Sequence, residues 1–237
     1  MAAEAAELHI DLPLQIEHPH AQVQVTARQG VPAATYFVAK RTLDVLAASV
    51  LLLVLLPVFL LIAIAVAIDS GGPALYRGTR VGRHGRIFTA LKFRSMVSGA
   101  DQMAHRTFIR ELMEGADCQT LYKVSGDKRI TRVGAFLRRT SLDELPQLWN
   151  VIRGDMSLVG PRPDVPYAVE IYEPWMRRRL EATPGMTGLW QVSGRSRLGL
   201  RDMLRLDVEY VERRSLALDA RILMLTLPAV LSGDGAA

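Results

Sequence analysis

The stretch from Val45 to Ile68 constrains this chain more than any other. It holds no charged residue, and only Ser49 and Pro57 interrupt its apolar run. At ~1.5 Å per residue, a helix of that length matches the ~30 Å hydrocarbon core of a bilayer. Pro57 stands at its middle, where it removes a helical hydrogen bond and kinks or breaks the helix. Each half, Val45–Leu56 and Val58–Ile68, is then only about 16–18 Å long, too short to cross alone. Both flanks are basic. Lys40 and Arg41 precede the segment, and Arg77, Arg80, Arg83, Arg86, Lys92 and Arg94 follow it, with no acid among residues 77–94. Lysine and arginine collect on the cytoplasmic side of membrane segments, so this pattern puts both ends on that side. A re-entrant helix that turns at Pro57 satisfies length and charge together. The alternative is a kinked helix that spans, since proline is tolerated in membrane helices.

The rest of the chain is organised around that segment. Residues 1–37 read as a flexible N-terminal tail, 38–69 as the re-entrant membrane helix and 70–237 as a cytoplasmic catalytic domain. The tail has Pro13, Pro19 and Pro32 and no helical period, and it lacks the basic-then-apolar pattern of a signal peptide. His9, His18 and His20 lie in it without the Cys or carboxylate partners of a metal site. Net charge is +5 overall, but Glu4, Glu7, Asp11 and Glu17 against Arg28 make residues 1–36 acidic, so the remainder is more basic still. Such a surface suits anionic lipid or phosphorylated substrates. The lone Lys92-Phe93-Arg94 is poor evidence for nucleic acid, and none is expected as a partner. Cys118 is the only cysteine, which rules out an internal disulfide; it reads as an inert thiol.

Glycine turns at Gly71-Gly72-Pro73, Gly82 and Gly85 frame two short strands, Ala74–Tyr76 and Arg86–Phe93. Helical spacing of apolar residues predicts helices over Asp101–Glu114, Leu142–Ile152, Pro174–Glu181 and Gly199–Arg213. Ile222–Leu231 is apolar nearly all round, as either a core helix or an interfacial one. The expected class is therefore mainly α with short β elements: a membrane helix hairpin kinked at Pro57, interfacial amphipathic helices and a compact cytoplasmic domain.

The chemistry centres on Thr140-Ser141-Leu142-Asp143-Glu144-Leu145-Pro146-Gln147. Ser141-x-x-Glu144 has the form of a capping box, which would account for Glu144 as a helix-end tie. It does not account equally for Asp143. A carboxylate in the first turn of a helix is favoured by the dipole, and so is a bound phosphate. Arg138 and Arg139 nearby would keep Asp143 ionised. An ionised aspartate can attack phosphorus once a divalent cation and arginines offset the phosphate charge, and either Asp143 or Glu144 could hold that metal. Capping with surface salt bridges is the competing account. Pro161-Arg162-Pro163 fixes the backbone around one guanidinium. Gly185-Met186-Thr187-Gly188 and Gly194-Arg195-Ser196 are compatible with a phosphate loop. Ser125-Gly126-Asp127-Lys128 matches an acyl-serine pattern whose partner motifs are absent, and reads as chance.

Taken in order, the motifs form a longer pattern. Lys40-Arg41-x-x-Asp44 precedes the broken apolar helix. Arg80-Val81-Gly82-Arg83-x-Gly85 and Lys92-Phe93-Arg94-Ser95-Met96 follow, then Thr131-Arg132-Val133-Gly134 with Arg138-Arg139. After the Asp143-Glu144 segment come Gly154-Asp155-Met156-Ser157, Gly160-Pro161-Arg162-Pro163 and Pro184 through Arg195. Over about residues 38–233 the chain resembles the bacterial sugar transferases, the monotopic polyprenyl-phosphate phosphoglycosyl transferases. The resemblance implies transfer of a sugar 1-phosphate from a nucleotide sugar (a UDP-hexose) to polyprenyl phosphate, starting an exopolysaccharide or O-antigen chain. It implies Asp143 as nucleophile, Glu144 as its partner and Mg²⁺ as the ion, held by Asp143 and Glu144. It implies Arg162 at the nucleotide, and Lys92, Arg94, Arg138 and Arg195 as candidates for the phosphates. It places the protein in the bacterial inner membrane, with the catalytic domain on the cytoplasmic face and membrane lipids as further partners. Two departures stand out. Many members have Ser-Pro at the helix break where this chain has Leu56-Pro57. The larger members also carry preceding membrane helices and a further domain, which bears on the homodimer that is one candidate assembly. A membrane-bound phosphatase or phosphodiesterase with the same aspartyl intermediate, and a non-enzymatic basic membrane scaffold, are the alternatives.

Overall fold

A computed structural model describes residues 33–97, 107, 129–194 and 198–231. The expected helix over Asp101–Glu114 falls outside them, Thr107 aside, as do Cys118, Arg195, the tail histidines and the Ser125–Lys128 motif.

The apolar segment forms two helices, α1 (Ala33–Val54) and α2 (Leu56–Ser70). Helix α1 begins at Ala33, inside the stretch read from sequence as tail, because Tyr36, Lys40, Arg41 and Asp44 all find partners on the body of the protein. Pro57 lies in the first turn of α2, where its missing N–H is tolerated, and the two axes meet at 63°. Helical bonding flanks the break: Leu55 N–H bonds Leu51 carbonyl and Phe59 N–H bonds Leu55 carbonyl, both at 2.9 Å. Gly71, at φ +62°, ends α2 in the left-handed conformation that L side chains avoid. No single described helix is long and apolar enough to cross a membrane, but the bent pair meets the test of length and composition together.

Strands β1 (Leu75–Val81) and β2 (Ile87–Phe93) make an antiparallel hairpin paired from Leu75↔Phe93 to Val81↔Ile87. The first strand runs well past the expected Tyr76, to Val81, paired with β2 along its whole length, with Gly78 and Val81 buried in it. Next come α3 (Arg132–Arg139), a 3₁₀ turn at Leu142–Glu144, and α4 (Gln147–Arg153). The predicted continuous helix over Leu142–Ile152 is thus broken at Pro146. Leu148 faces the core as its spacing requires, but Trp149 is half exposed. Strand β3 (Ser157–Val159) pairs in parallel with β4 (Gly185–Thr187), and between them lie α5 (Pro166–Glu170) and α6 (Pro174–Arg177), the latter continued by a 3₁₀ turn to Glu181. Helices α7 (Leu189–Ser193), α8 (Leu200–Arg213) and α9 (Leu216–Leu231) complete the described chain.

The core consists of several adjoining apolar clusters. Ala48 of α1 packs on Leu148 and Val151 of α4 together with Met156. Ile62 and Val66 of α2 meet Phe93 of β2 and Leu137 of α3. Tyr210 of α8 and Ile222 of α9 close over Val159 of β3. By contrast Leu46, Val50, Leu53, Leu60, Leu61, Ile64 and Ile68 on the bent pair remain at least half exposed. An apolar face that large on one element marks an interaction surface rather than a scatter of single residues.

Glycines at the β3–β4 seam permit a backbone approach that no side chain would. A Cβ on Gly160 would sit 2.3 Å from Thr183 carbonyl, and one on Gly185 would sit 2.1 Å from Gly160 N. The Gly185–Gly188 stretch, read from sequence as a candidate phosphate loop, therefore serves strand packing. Gly160→Ala is expected to lower stability by about 1–3 kcal/mol, the usual cost of overpacking. Thermal unfolding of the purified variant would register this as a lower Tm, and an unchanged Tm would contradict the seam.

Candidate active site

The residues singled out by sequence converge where β2, the 3₁₀ turn and the Pro161-Arg162-Pro163 turn meet. Lys92, next to the end of β2, donates to Glu144 Oε1 at 2.7 Å. Arg162 grips the same carboxylate with both guanidinium nitrogens, Nη1 to Oε2 at 3.0 Å and Nη2 to Oε1. This is the forked arrangement in which an arginine–carboxylate pair is strongest. The side chains of Lys92, Arg162 and Glu144 all keep partial solvent contact.

The capping box is not formed. Ser141 adopts a left-handed conformation, at φ +57°, and its side chain caps nothing. The Glu144 carboxylate turns instead to its two cations, which offer charge-assisted bonds that a backbone N–H cannot match. Burial alone would push the Glu144 carboxyl up, but Arg162 and Lys92 outweigh it and hold the group well below the usual carboxylate range. Its neighbour has the opposite setting. Asp143 is buried, and no described residue donates a hydrogen bond to its carboxylate. Burial pushes its carboxyl up; Lys92 pulls it back, Glu144 adds to the rise, and Arg162 and Arg138 oppose it. Two adjacent carboxylates thus occupy distinct states. One is pinned and firmly ionised, the other unbonded and more basic.

Arg138 ends α3, whose start is capped by Thr131 Oγ1 accepting from Gly134 N–H at 3.0 Å and by Asp69 accepting from Val133 N–H at 2.9 Å. Arg138 Nη1 is buried without a hydrogen-bond partner, and so is Arg94 Nη1. An unfilled guanidinium nitrogen in a buried place is a vacancy for an acceptor oxygen. Arg94 follows β2 and lies against Gly72, so that a Cβ there would come within 2.2 Å of Nη1. No described contact joins Arg94 to the carboxylate pair. Among the described residues no group of three or more His, Cys, Asp or Glu side chains forms a metal cage.

Three supporting residues were not legible as such in the sequence. Asn150 of α4 accepts from Leu91 N–H at 3.0 Å and donates to Thr89 carbonyl at 2.7 Å, locking the strand that carries Lys92 to the helix that follows Glu144. Arg179 is almost fully buried. It donates to Asp207 Oδ2 from Nε at 3.0 Å and Nη2 at 2.6 Å, to Tyr172 Oη at 2.6 Å, and from Nη2 to the carbonyl of Arg162. Burial works against the Arg179 charge, but the oxygens of Tyr172, Asp207 and Asp164 outweigh it and keep the guanidinium protonated. Asp164, just past the Pro-Arg-Pro turn, accepts from Tyr172 at 2.7 Å and joins β1 through the carbonyl that bonds Val81 N–H. The turn that presents Arg162 is therefore held from beneath by a buried ionic network. Spacing offered no signal for it, because Arg179 and Asp207 lie on different elements.

The family model described as "Bacterial sugar transferase" matches residues 35–233. The exopolysaccharide production protein ExoY of Rhizobium meliloti is 44% identical over 197 residues, covering 83% of this chain and 87% of that protein. A galactosyl transferase, CpsE, of Streptococcus agalactiae is 43% identical over 205 residues, covering 85% of this chain and 44% of that protein. A UDP-glucose:undecaprenyl-phosphate glucose-1-phosphate transferase of Caulobacter vibrioides is 40% identical over 223 residues, covering 90% of this chain and 78% of that protein. The chain spans less than half the length of several such relatives, CpsE among them.

The network around Arg179 can be tested without any assay of activity. Arg179→Met leaves Asp207 buried and unpaired, so unfolding free energy is expected to fall by about 3–5 kcal/mol. Arg179→Met with Asp207→Leu removes both charges and is expected to recover much of that loss. Chemical denaturation of the two variants would show this, and equal losses would count against a paired role.

Proposed function

The chain belongs to the bacterial sugar transferase family, and on that premise we propose that it moves hexose 1-phosphate from a UDP-hexose to a polyprenyl phosphate (undecaprenyl phosphate in bacteria), releasing UMP. The product is the lipid-linked sugar that starts an exopolysaccharide, O-antigen or capsule chain. The observation that carries this reading is the split carboxylate pair, an unbonded and buried Asp143 beside a Glu144 held by Lys92 and Arg162. The names of relatives that act with undecaprenyl phosphate support the acceptor.

Asp143 attacks the phosphorus that bears the sugar. A bond forms from its carboxylate oxygen to phosphorus, the bond to the UMP oxygen breaks, and UMP leaves. The resulting phosphosugar–aspartyl ester is then attacked by an oxygen of the lipid phosphate. That step breaks the ester, yields the lipid diphosphate sugar and returns Asp143 as a carboxylate. Nucleophilic carboxylates of this kind split one difficult transfer into two easier ones. Lys92 and Arg162, partly exposed beside the pair, are placed to meet the phosphate charge that would otherwise repel Asp143. The unfilled nitrogens of Arg138 and Arg94 are further donors to phosphate oxygen, and Arg195 keeps the role its motif suggests.

Mg²⁺ is the ion we assign. It keeps several waters and needs only one or two carboxylates together with substrate phosphates. Glu144 has both oxygens engaged by cations, whereas among the described residues none donates to Asp143, so Asp143 with the donor phosphates fits the ion better than the pair does. Bound there, the metal would neutralise phosphate charge during attack. The exposed apolar face of α1 and α2, with its 63° bend, supports a re-entrant seat in the cytoplasmic leaflet of the inner membrane. From that seat the carboxylate pair would face the cytoplasm, where UDP-hexose is found.

The test is turnover of labelled UDP-hexose with magnesium and polyprenyl phosphate by the full chain in membranes. UMP release, a protein-bound phosphosugar and a labelled lipid are expected. Free sugar phosphate in place of labelled lipid would identify a hydrolase instead. Asp143→Asn is expected to abolish the protein adduct and cut turnover by a factor on the order of 10³ or more. Substantial turnover by that variant would sink the assignment.

The acid limb of the rate profile is a second check. Asp143 must be ionised to attack, and its carboxyl is raised, so kcat/KM should climb with pH through a value above the ordinary aspartate range. Lys92→Met removes a cation that lowers both carboxyls and should move the limb to higher pH. UMP release followed from about pH 4 to 8 reads this directly. A limb that stays in place would argue against Asp143 as the titrating group.

A further inference from the structure

The cleft that opens beside the start of α1 is not at the carboxylate pair. It has a volume of ≈ 250 Å³ and is walled by Tyr36, Phe37, Lys40 and Arg41 on α1, by Arg83 of the β1–β2 turn and by Arg214 between α8 and α9. None of Lys92, Asp143, Glu144 or Arg162 lines it.

Two guanidinium groups converge there. Arg83 donates from Nε to the carbonyl of Glu181 at 3.2 Å, and Arg214 donates from Nη1 to the same oxygen at 3.4 Å. Both also lie over the ring of Phe37, at 5.2 and 5.1 Å from its centroid. Among the described residues no carboxylate forms an ion pair with either. Two acids near this end of α1 are already committed. Asp44 accepts from Leu158 N–H, and Asp219 accepts from Lys40, Tyr36 and Tyr210. Each guanidinium has five N–H donors, so one weak bond to a shared carbonyl leaves most of them open. Like charges gathered in this way repel, and an anion with several oxygens would both relieve the repulsion and fill the donors. Arginine forks match phosphate in that geometry.

The surroundings identify what carries the phosphate. Helices α1 and α9 both begin at this cleft, joined at their first turns by Asp219 with Tyr36 and Lys40. Each then presents an exposed apolar face, Leu43, Leu46 and Val50 on α1 and Leu216, Leu223, Met224 and Leu227 on α9. The cationic cleft thus sits at the polar end of two greasy helices, where a headgroup phosphate meets its acyl chains.

We propose that this cleft binds the phosphate of a membrane lipid headgroup, held by Arg83 and Arg214 above Phe37, as a site separate from the carboxylate pair. The membrane placement proposed above bears only on the source of the phosphate, not on the site. The test uses the full chain in a neutral detergent and follows thermal unfolding with dihexanoyl phosphatidylglycerol or with inorganic phosphate. Three proteins are compared: wild type, Arg83→Gln/Arg214→Gln, and Arg86→Gln/Arg213→Gln, which removes the same charge from two exposed neighbouring arginines that do not line the cleft. At ten times its dissociation constant the lipid is expected to raise the wild-type Tm by about 3–6 °C. The first variant should lose most of that rise and the second should keep it. An equal rise with inorganic phosphate, lost in the first variant, would keep the phosphate site and overturn the lipid as its source. Equal loss in both variants, or no rise with either probe, would overturn the proposal.

Discussion

The ionic clasp on Glu144 is the contact on which the site depends, because it joins three segments that meet nowhere else in sequence. Lys92 arrives on a strand, Glu144 on a 3₁₀ turn and Arg162 on a proline-flanked turn. A clasp of long side chains is worth little if its members are free to move, since ordering them costs entropy. Here each member is anchored first. Asn150 bonds the strand of Lys92 to α4, Arg41 donates to the Val151 and Ile152 carbonyls at the end of α4, and Arg179 bonds the backbone of Arg162. The charges are therefore brought together by a backbone frame rather than by their own attraction.

The same frame changes how the basic flank of the apolar segment is understood. By sequence, Lys40 and Arg41 counted as charges that keep the start of the segment on the cytoplasmic side. In the structure Lys40 pairs with Asp219 at 2.9 Å and Arg41 is consumed by helix-end carbonyls at 2.5 and 2.7 Å. The charge of Lys40 is neutralised within the protein and the donors of Arg41 are taken up by backbone, so they speak less to membrane sidedness than free lysines would. What they do is fasten α1 to the body. Asp44 completes the fastening by accepting from Leu158 N–H at 3.1 Å, beside β3. The side chains past Asp44 then divide. Ala48 is buried against α4, while Leu46, Val50 and Leu53 stay exposed. The bent pair is thus attached by its polar end and one narrow stripe, and the rest of its apolar surface has no protein partner among the described residues.

Much of this was legible in the sequence, and the misses share a cause. The broken helix, the hairpin and the helix over Leu200–Arg213 follow from local signals: an apolar run, glycine turns and helical spacing. The last helix was read as Ile222–Leu231 and starts six residues earlier, at Leu216, where Asp219 in its first turn pairs with Lys40 of α1. The family resemblance implied one site for Lys92, Glu144 and Arg162, but gave Lys92 and Arg162 to the substrate rather than to Glu144, which both hold in the structure. The capping box failed because Ser141-x-x-Glu144 is satisfied by any such spacing, whereas the fate of Glu144 is set by cations from distant segments. Strands β3 and β4 are three residues each, too short for alternation to register, and their glycines carry the tertiary information as a close approach. Helix α3 was missed because its three arginines hide the apolar stripe of Val133 and Leu137. The Arg179 network left no trace, since nothing local distinguishes a buried arginine from a solvated one.

Adjacent carboxylates pose a problem that the fold resolves by giving them unlike surroundings. If both were bare, each would raise the other, and at neutral pH the pair would share a proton. If both were clasped, neither would be available to attack. Here Arg162 and Lys92 take Glu144 out of contention, fixing its charge and its direction. Asp143 gains basicity from burial while the same two cations, with Arg138, limit how far it rises. A nucleophile benefits from being more basic only as long as it remains ionised, so a raised but restrained carboxyl is the useful state. The clasp that holds the three segments is thus the same contact that sets the second carboxylate free.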